Sequence, residues 1–276
     1  MNGDHQSGLT VPVRTSQNWQ LSTEELAHYR TEGYLIRPAV FNASETEALR
    51  CGAERAVQVA HQLAETGSNY YLDGKRFTDN GYVTIQFEHE SAASNTIRVI
   101  EPVDHLDPSL TALATDPRIT VPMQQIIGTE QIAVWTNKLN TKRPGGGSGF
   151  GWHQDSPYWI HDCQHVDLLP NVMFAFDDAT EANGCLQVIR RSHLQGCLPG
   201  TDDGTQLGGF YTSPACFSPD DAVSMCAPAG SLIFFDPHCI HGSAPNQSNL
   251  PRRAMVLTYQ PAGHPTLKSR QIRNLA

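Results

Sequence analysis

NVMFAFDDATEANGCLQVIR, residues 171–190, sets two short apolar runs on either side of an Asn183-Gly184 pair. Each run has the length of a strand and is too short for a stable helix. Asn and Gly both tolerate the positive φ that a type I′ turn demands, so the spacing predicts a β-hairpin closing at 183–184. The same texture recurs outward from this stretch in QIAVWTNKLN (131–140), SLIFFD (231–236) and RAMVLTYQ (253–260). Short strands separated by turn residues are the signature of a β-sandwich or barrel.

Before Gly128 the pattern is different. Ser22 followed by Glu25 reads as a capping box that opens a helix through Tyr29 and Glu32, and Gly33 can end it. A strand-like YLIRPAV (34–40) follows. Asn42 or Ser44 can cap a longer helix in which Leu49, Ala53, Val57 and Ala60 recur at helical steps. VPMQQIIG, bounded by Pro117 and Gly128, predicts another short helix. The expected class is mainly β with N-terminal helices and a jelly-roll-like core. Residues 68–94 are polar and aromatic, with a strand expected near YVTIQF (82–87). They suit either a pocket-covering segment or a surface hairpin.

With 276 residues, 39% hydrophobic and 17% charged, the chain can fill one large β-rich domain. Residues 1–20 are expected to form a flexible arm and 21–276 a single domain, with no internal repeat or linker. A net charge of −9 without a dense Lys/Arg run argues against nucleic acid as a partner. MNGDHQSGLT has neither a basic n-region nor an apolar h-region, and no long apolar run follows. No membrane association and a cytoplasmic location are therefore expected. The seven cysteines are odd in number and form no C-x-x-C pair, which suits reduced thiols. Oligomeric state has no signal in the sequence.

A facial triad that leaves iron(II) three open positions uses two histidines and one carboxylate, so His-x-Asp followed at long range by His is the pattern to seek. It occurs three times, at His105-Asp107, His153-Asp155 and His165-Asp167. His105 sits in EPVDHLDPSL, a helix-capping turn, and His165 in an irregular run. His153 follows the flexible GGGSGFG and lies in WHQDSPYW, where strand alternation would put His153 and Asp155 on one face. Trp152, Tyr158 and Trp159 crowd around it, as a substrate pocket would need. In SLIFFDPHCIHGS, the His-Gly-Ser turn favours His241 over His238 as the distal ligand. Arg252 and Arg253, opening the next strand, offer a guanidinium suited to bidentate capture of a carboxylate.

These residues resemble the phytanoyl-CoA dioxygenase-like family of iron(II)/2-oxoglutarate oxygenases, which includes ectoine hydroxylase-like enzymes. The likeness spans about residues 21 to 260 and is carried by TEGYLI (31–36), WHQD (152–155), ANGCLQVIRRSHLQG (182–196), AGSLIFFD (229–236), HGSAPNQS (241–248) and RRAM (252–255). Each is weak alone; their order is specific. The resemblance implies a double-stranded β-helix of jelly-roll or cupin-like type, with His153, Asp155 and His241 holding Fe(II). It implies Arg252 as the anchor of 2-oxoglutarate, Ser243 assisting it, and Asn137 at a cosubstrate-contacting position. O2 is the co-oxidant, succinate and CO2 the coproducts, and a small organic molecule the substrate. Arg190-Arg191 replaces the family's frequent Pro-Gly before Ser192-His193, a change at the pocket rim. Asp155 is present, which disfavours the halogenase variant that lacks the carboxylate. Hydroxylation, desaturation, epimerisation and ring closure all fit the same oxidant. A cupin-type metal isomerase or cosubstrate-free dioxygenase is the alternative, and it would have no use for Arg252. A binding protein that had lost its chemistry would be expected to have lost a ligand, and none is lost here.

Overall fold

The computed structural model describes residues 19–88 and 94–273. Its elements run α1 (Thr23–Glu32), β1 (Tyr34–Arg37), α2 (Ala43–Thr66), β2 (Ser68–Leu72), β3 (Lys75–Asp79), β4 (Thr84–Phe87), β5 (Ile97–Glu101), α3 (Pro108–Ala114) and α4 (Pro117–Ile127). There follow β6 (Ile132–Lys142), β7 (Phe150–His153), α5 (Ser156–Trp159), β8 (Asn171–Ala175), β9 (Gln187–Ile189), β10 (Ala222–Ser224), β11 (Leu232–Phe235), β12 (His241–Ser243) and β13 (Arg252–Pro261).

Local chemistry sets the helix ends. Ser22 and Glu25 close a reciprocal capping box on α1, and Gly33 at φ 86° ends it. Asn42, rather than Ser44, caps α2 together with Glu45. Gly128 at φ 84° ends α4. Arg37, buried, draws the carbonyls of Trp19 and Gln20 onto the fold, so these two residues of the expected arm are tied down. Residues 1–18 of that arm lie outside the described residues.

Two antiparallel sheets carry the core. The larger has the order β1-β11-β8-β13-β6-β5-β4-β3-β2, the smaller β10-β9-β12-β7. From β6 onward the chain passes back and forth between them, which makes a double-stranded β-helix. Alternation on the large sheet separates two apolar layers. Phe174, Phe234 and Leu257 face α2, α3 and α4, while Met173, Ile233, Phe235 and Val256 face Leu186 and Val188 of the small sheet. Strands β2–β4 extend the large sheet as a meander, so the 68–94 region is hairpin and pocket wall at once: Phe77 and Gln86 line the main cavity. Residues 89–93 lie outside the described residues. Among the described residues no helix is long and apolar enough to cross a membrane.

The hairpin expected at Asn183-Gly184 does not form. β8 and β9 belong to different sheets, and only Gly184 has positive φ, at 71°. Asn183 instead caps the turn, accepting from the Thr180 amide and donating to the Asp178 carbonyl. Side-chain closure of that kind favours a corner that carries the chain across to the other sheet.

Candidate metal and cosubstrate site

β7 ends at His153, and β12 begins at His241 directly opposite it in register. Asp155 does not continue the strand, as alternation had predicted. It turns into α5 at φ −78°, ψ −31°, and its amide and that of Ser156 both donate to the Pro237 carbonyl. The turn still delivers the carboxylate between the imidazoles. All three side chains are buried and offer ligand atoms that lie within 4.8 Å of one another. His153 Nε2 is 4.0 Å from Asp155 Oδ1, and His241 Nε2 is 3.8 Å from Oδ2.

Each imidazole is oriented by its other nitrogen. His153 Nδ1 lies 2.7 Å from the Gly151 carbonyl and His241 Nδ1 2.9 Å from that of Cys239. A carbonyl can only accept, so Nδ1 carries the proton and the Nε2 lone pair is free for a metal. Burial, reinforced by the neighbouring His241, pushes His153 down to about 3, and burial lowers His241 as well. Burial opposes the charge on Asp155, but Lys138, 3.4 Å away, and the two imidazoles hold its carboxyl below the usual range. Asn171 Nδ2 donates to Asp155 Oδ2 at 2.9 Å. Two neutral imidazoles and a fixed carboxylate are the donor set that suits ferrous iron.

Among the described residues the other candidate histidines stay outside this cluster. His105 is half-exposed beside Asp104. His165 contacts Gln260 and stacks on His264. Asp167, from the third His-x-Asp, pairs with His238 at 2.8 Å.

Arg252 opens β13, 3% exposed; its Nη2 donates to the Gly184 carbonyl and its Nε has no partner. A small cavity joins it to His153, His241, Ser243 and Asn140, whose Oδ1 is also unpartnered. The orphaned guanidinium N–H fits a ligand carboxylate, whereas the Asn140 oxygen, an acceptor, needs a donor. Arg253 points the other way and is paired with Asp177 and Glu54. Asn137, expected at a cosubstrate-contacting position, does not line this cavity: its Oδ1 accepts from the amides of Val103 and Asp104 on the helical side of β6. The inner face of β6 belongs to Lys138, Asn140 and Lys142. Lys142, which sequence reasoning missed, is fully buried and donates to Ser243 Oγ at 2.8 Å and to Gly184 O at 3.0 Å. Burial, with Arg252 and Arg98 nearby, pushes it down to about 6. Its place in the alternation 138, 140, 142 with Lys138 and Asn140 was the available signal.

A cavity of about 360 Å³ opens in front of the cluster, lined by His153, Asp155, Tyr158 and Trp159. Tyr158 stacks on Phe210 at 4.5 Å. Trp152 does not line it: alternation turns its ring outward onto Phe217. Arg190 and Arg191 also lie away from this cavity, and Arg191 pairs with Glu32.

Residues 29–254 match the family model of phytanoyl-CoA dioxygenase. The chain belongs to that family. Similar curated proteins include the ectoine dioxygenase of Bordetella parapertussis, 27% identical over 87% of this chain and 75% of the relative. The methylphosphonate hydroxylase of Gimesia maris is 26% identical over 88% and 82%. The L-proline trans-4-hydroxylase of Streptomyces griseoviridis is 25% identical over 60% and 68%. Among solved structures, EctD from S. alaskensis with 2-oxoglutarate and 5-hydroxyectoine aligns with a TM-score of 0.67 at 21% identity, covering 94% of this chain and 80% of that one. EctD with bound Fe gives 0.68 at 22%, over 94% and 81%. The chain thus shares the fold of EctD. As a family member the protein is an iron(II)- and 2-oxoglutarate-dependent dioxygenase that uses O2, as the resemblance implied.

Proposed function

We propose that His153, Asp155 and His241 hold iron(II), that Arg252 receives the far carboxylate of 2-oxoglutarate with Lys142 and Ser243 beside it, and that the enzyme hydroxylates a C–H of a small organic molecule in the 360 Å³ cavity, releasing succinate and CO2. The observation that carries this reading is the convergence of the three buried ligand atoms next to a guanidinium with an orphaned Nε. Iron(II) would bind and activate O2, the oxidant, which takes two electrons from 2-oxoglutarate as it becomes succinate and CO2 and two from the substrate C–H. The chain's own residues do the rest. Asn171 and Lys138 fix the Asp155 carboxylate, the Gly151 and Cys239 carbonyls fix the imidazole tautomers, and Tyr158 and Trp159 keep water from the reacting C–H. A cosubstrate-free dioxygenase or isomerase would have no use for the buried Arg252 guanidinium with its unpartnered Nε.

Anaerobic addition of iron(II) and then 2-oxoglutarate tests the reading. A visible charge-transfer band at one equivalent of each is expected, and its absence would refute the assignment. Arg252→Ala is expected to weaken 2-oxoglutarate binding by about 10-fold to 100-fold, the loss of one charged hydrogen-bonded pair. Iron affinity, read by equilibrium dialysis, should not change.

A further inference from the structure

In the wall of the cavity in front of the metal site one buried guanidinium has no carboxylate in contact among the described residues. Arg98, on β5, is 4% exposed and forms part of the cavity wall. Its Nη1 donates to Gln86 Oε1 at 3.0 Å, its Nη2 donates to the Gly149 carbonyl, and its Cζ rests 3.7 Å from the Phe150 ring centroid. All three partners are neutral. Its buried Nε has no partner, and among the described residues no carboxylate oxygen lies within 4.0 Å of the guanidinium. Glu88 acts on it only from a distance, because that carboxylate is engaged by the amide and hydroxyl of Ser148.

The other charges around the cavity are matched. Asp162 is paired with Arg270, Glu101 accepts from Thr136 at 2.8 Å and faces Lys138, and Lys138 is held by Asp155. Arg98 is the cation of this wall that no described carboxylate contacts. A guanidinium shut away from water without a counter-ion is costly, and it becomes favourable when an anion arrives with it. The fork geometry of arginine suits planar or tetrahedral oxyanions.

We propose that the substrate carries an anionic group, a carboxylate or a phosphonate, that docks on Arg98 and so decides which C–H is presented to the metal site. This deepens the function proposed above and rests on it. Size and charge then act together: the 360 Å³ cavity admits a small molecule, and Arg98 selects one that carries an oxyanion at a fixed distance from the reacting carbon. A structural brace for Gly149 and Phe150 would use the same hydrogen bonds but would have no affinity for anions.

The test uses the protein loaded with zinc(II) in place of iron and saturated with 2-oxoglutarate, so that the metal and Arg252 are already occupied. The Arg98 Nε–H signal is followed by proton–nitrogen NMR and assigned by its loss in Arg98→Lys. Acetate and methylphosphonate are the probes, with acetamide as the neutral control. A saturable shift is expected with an anion, with a dissociation constant on the order of 1 mM, and none with acetamide. The tighter anion identifies the group. An Arg98 signal unmoved by either anion, or moved equally by acetamide, would overturn the proposal. If the charge-transfer band forms with iron while Arg98 ignores anions, only this inference fails. If the band never forms, the proposed function itself falls.

Discussion

Asn171 shows how far a ligand depends on its neighbour. Its amide donates to Asp155 Oδ2 while Thr258 donates to its oxygen, so one amide fixes the carboxylate plane from inside the large sheet. Asn171→Leu keeps the volume and removes the donor. Iron affinity is expected to fall about 10-fold to 100-fold, checked by competition with a chelator. Lys142 makes a pH prediction. It is pushed down to about 6 and is therefore mostly neutral at pH 8 in the free protein. A bound dianion favours the charged ammonium, so the bound pKa is higher than the free one. Binding of 2-oxoglutarate is then strongest below about pH 6 and weakens as pH rises through the bound value. Titration calorimetry at pH 8 in buffers of different ionisation enthalpy should find a net uptake of protons, and Lys142→Met should abolish it.

At the scale of elements, the corner at 180–184 does more than connect two sheets. The Gly184 carbonyl accepts from both Lys142 and Arg252, so the corner positions the two side chains proposed to hold the cosubstrate. At φ 71°, a Cβ there would stand 2.1 Å from the Ala244 carbonyl oxygen. Gly184→Ala is expected to destabilise the protein by about 1–3 kcal/mol and to weaken 2-oxoglutarate binding. Thermal melts and cosubstrate titration check the two effects separately. β6 shows what a pattern cannot say. It is buried on both faces for nearly its whole length, so no alternation of apolar and polar residues marks which side points inward. The pattern therefore offered no check on the position that the resemblance gave Asn137, while Asn140 and Lys142, one step out of phase, hold the inner wall.

For the whole molecule, the site joins distant parts of the sheets, since His153 and His241 come from neighbouring strands of the small sheet and Arg252 from the large one. Whatever binds there ties the two sheets together. Manganese(II) or anaerobic iron(II) with 2-oxoglutarate, at about 100 times the dissociation constant, should add about 2.7 kcal/mol and raise Tm by about 5–10 °C. A chelator should remove the gain. No change in Tm would argue that the ligands meet no preformed site.

The sequence by itself determined the elements closed by local chemistry: the capping boxes at Ser22 and Asn42, the glycine stops at 33 and 128, and the strand runs of the β-half. It also singled out His153, Asp155 and His241, because short spacing, aromatic company and a His-Gly turn after a strand are visible along the chain. Only the tertiary structure decided strand phase and corner geometry. It alone showed that Asn183-Gly184 crosses between sheets, that Trp152 faces outward, and that Lys142 and Arg98 are buried cations without carboxylate partners among the described residues. The reason is physical: which face of a strand is interior, and whether a buried charge is answered, depends on side chains brought from other strands.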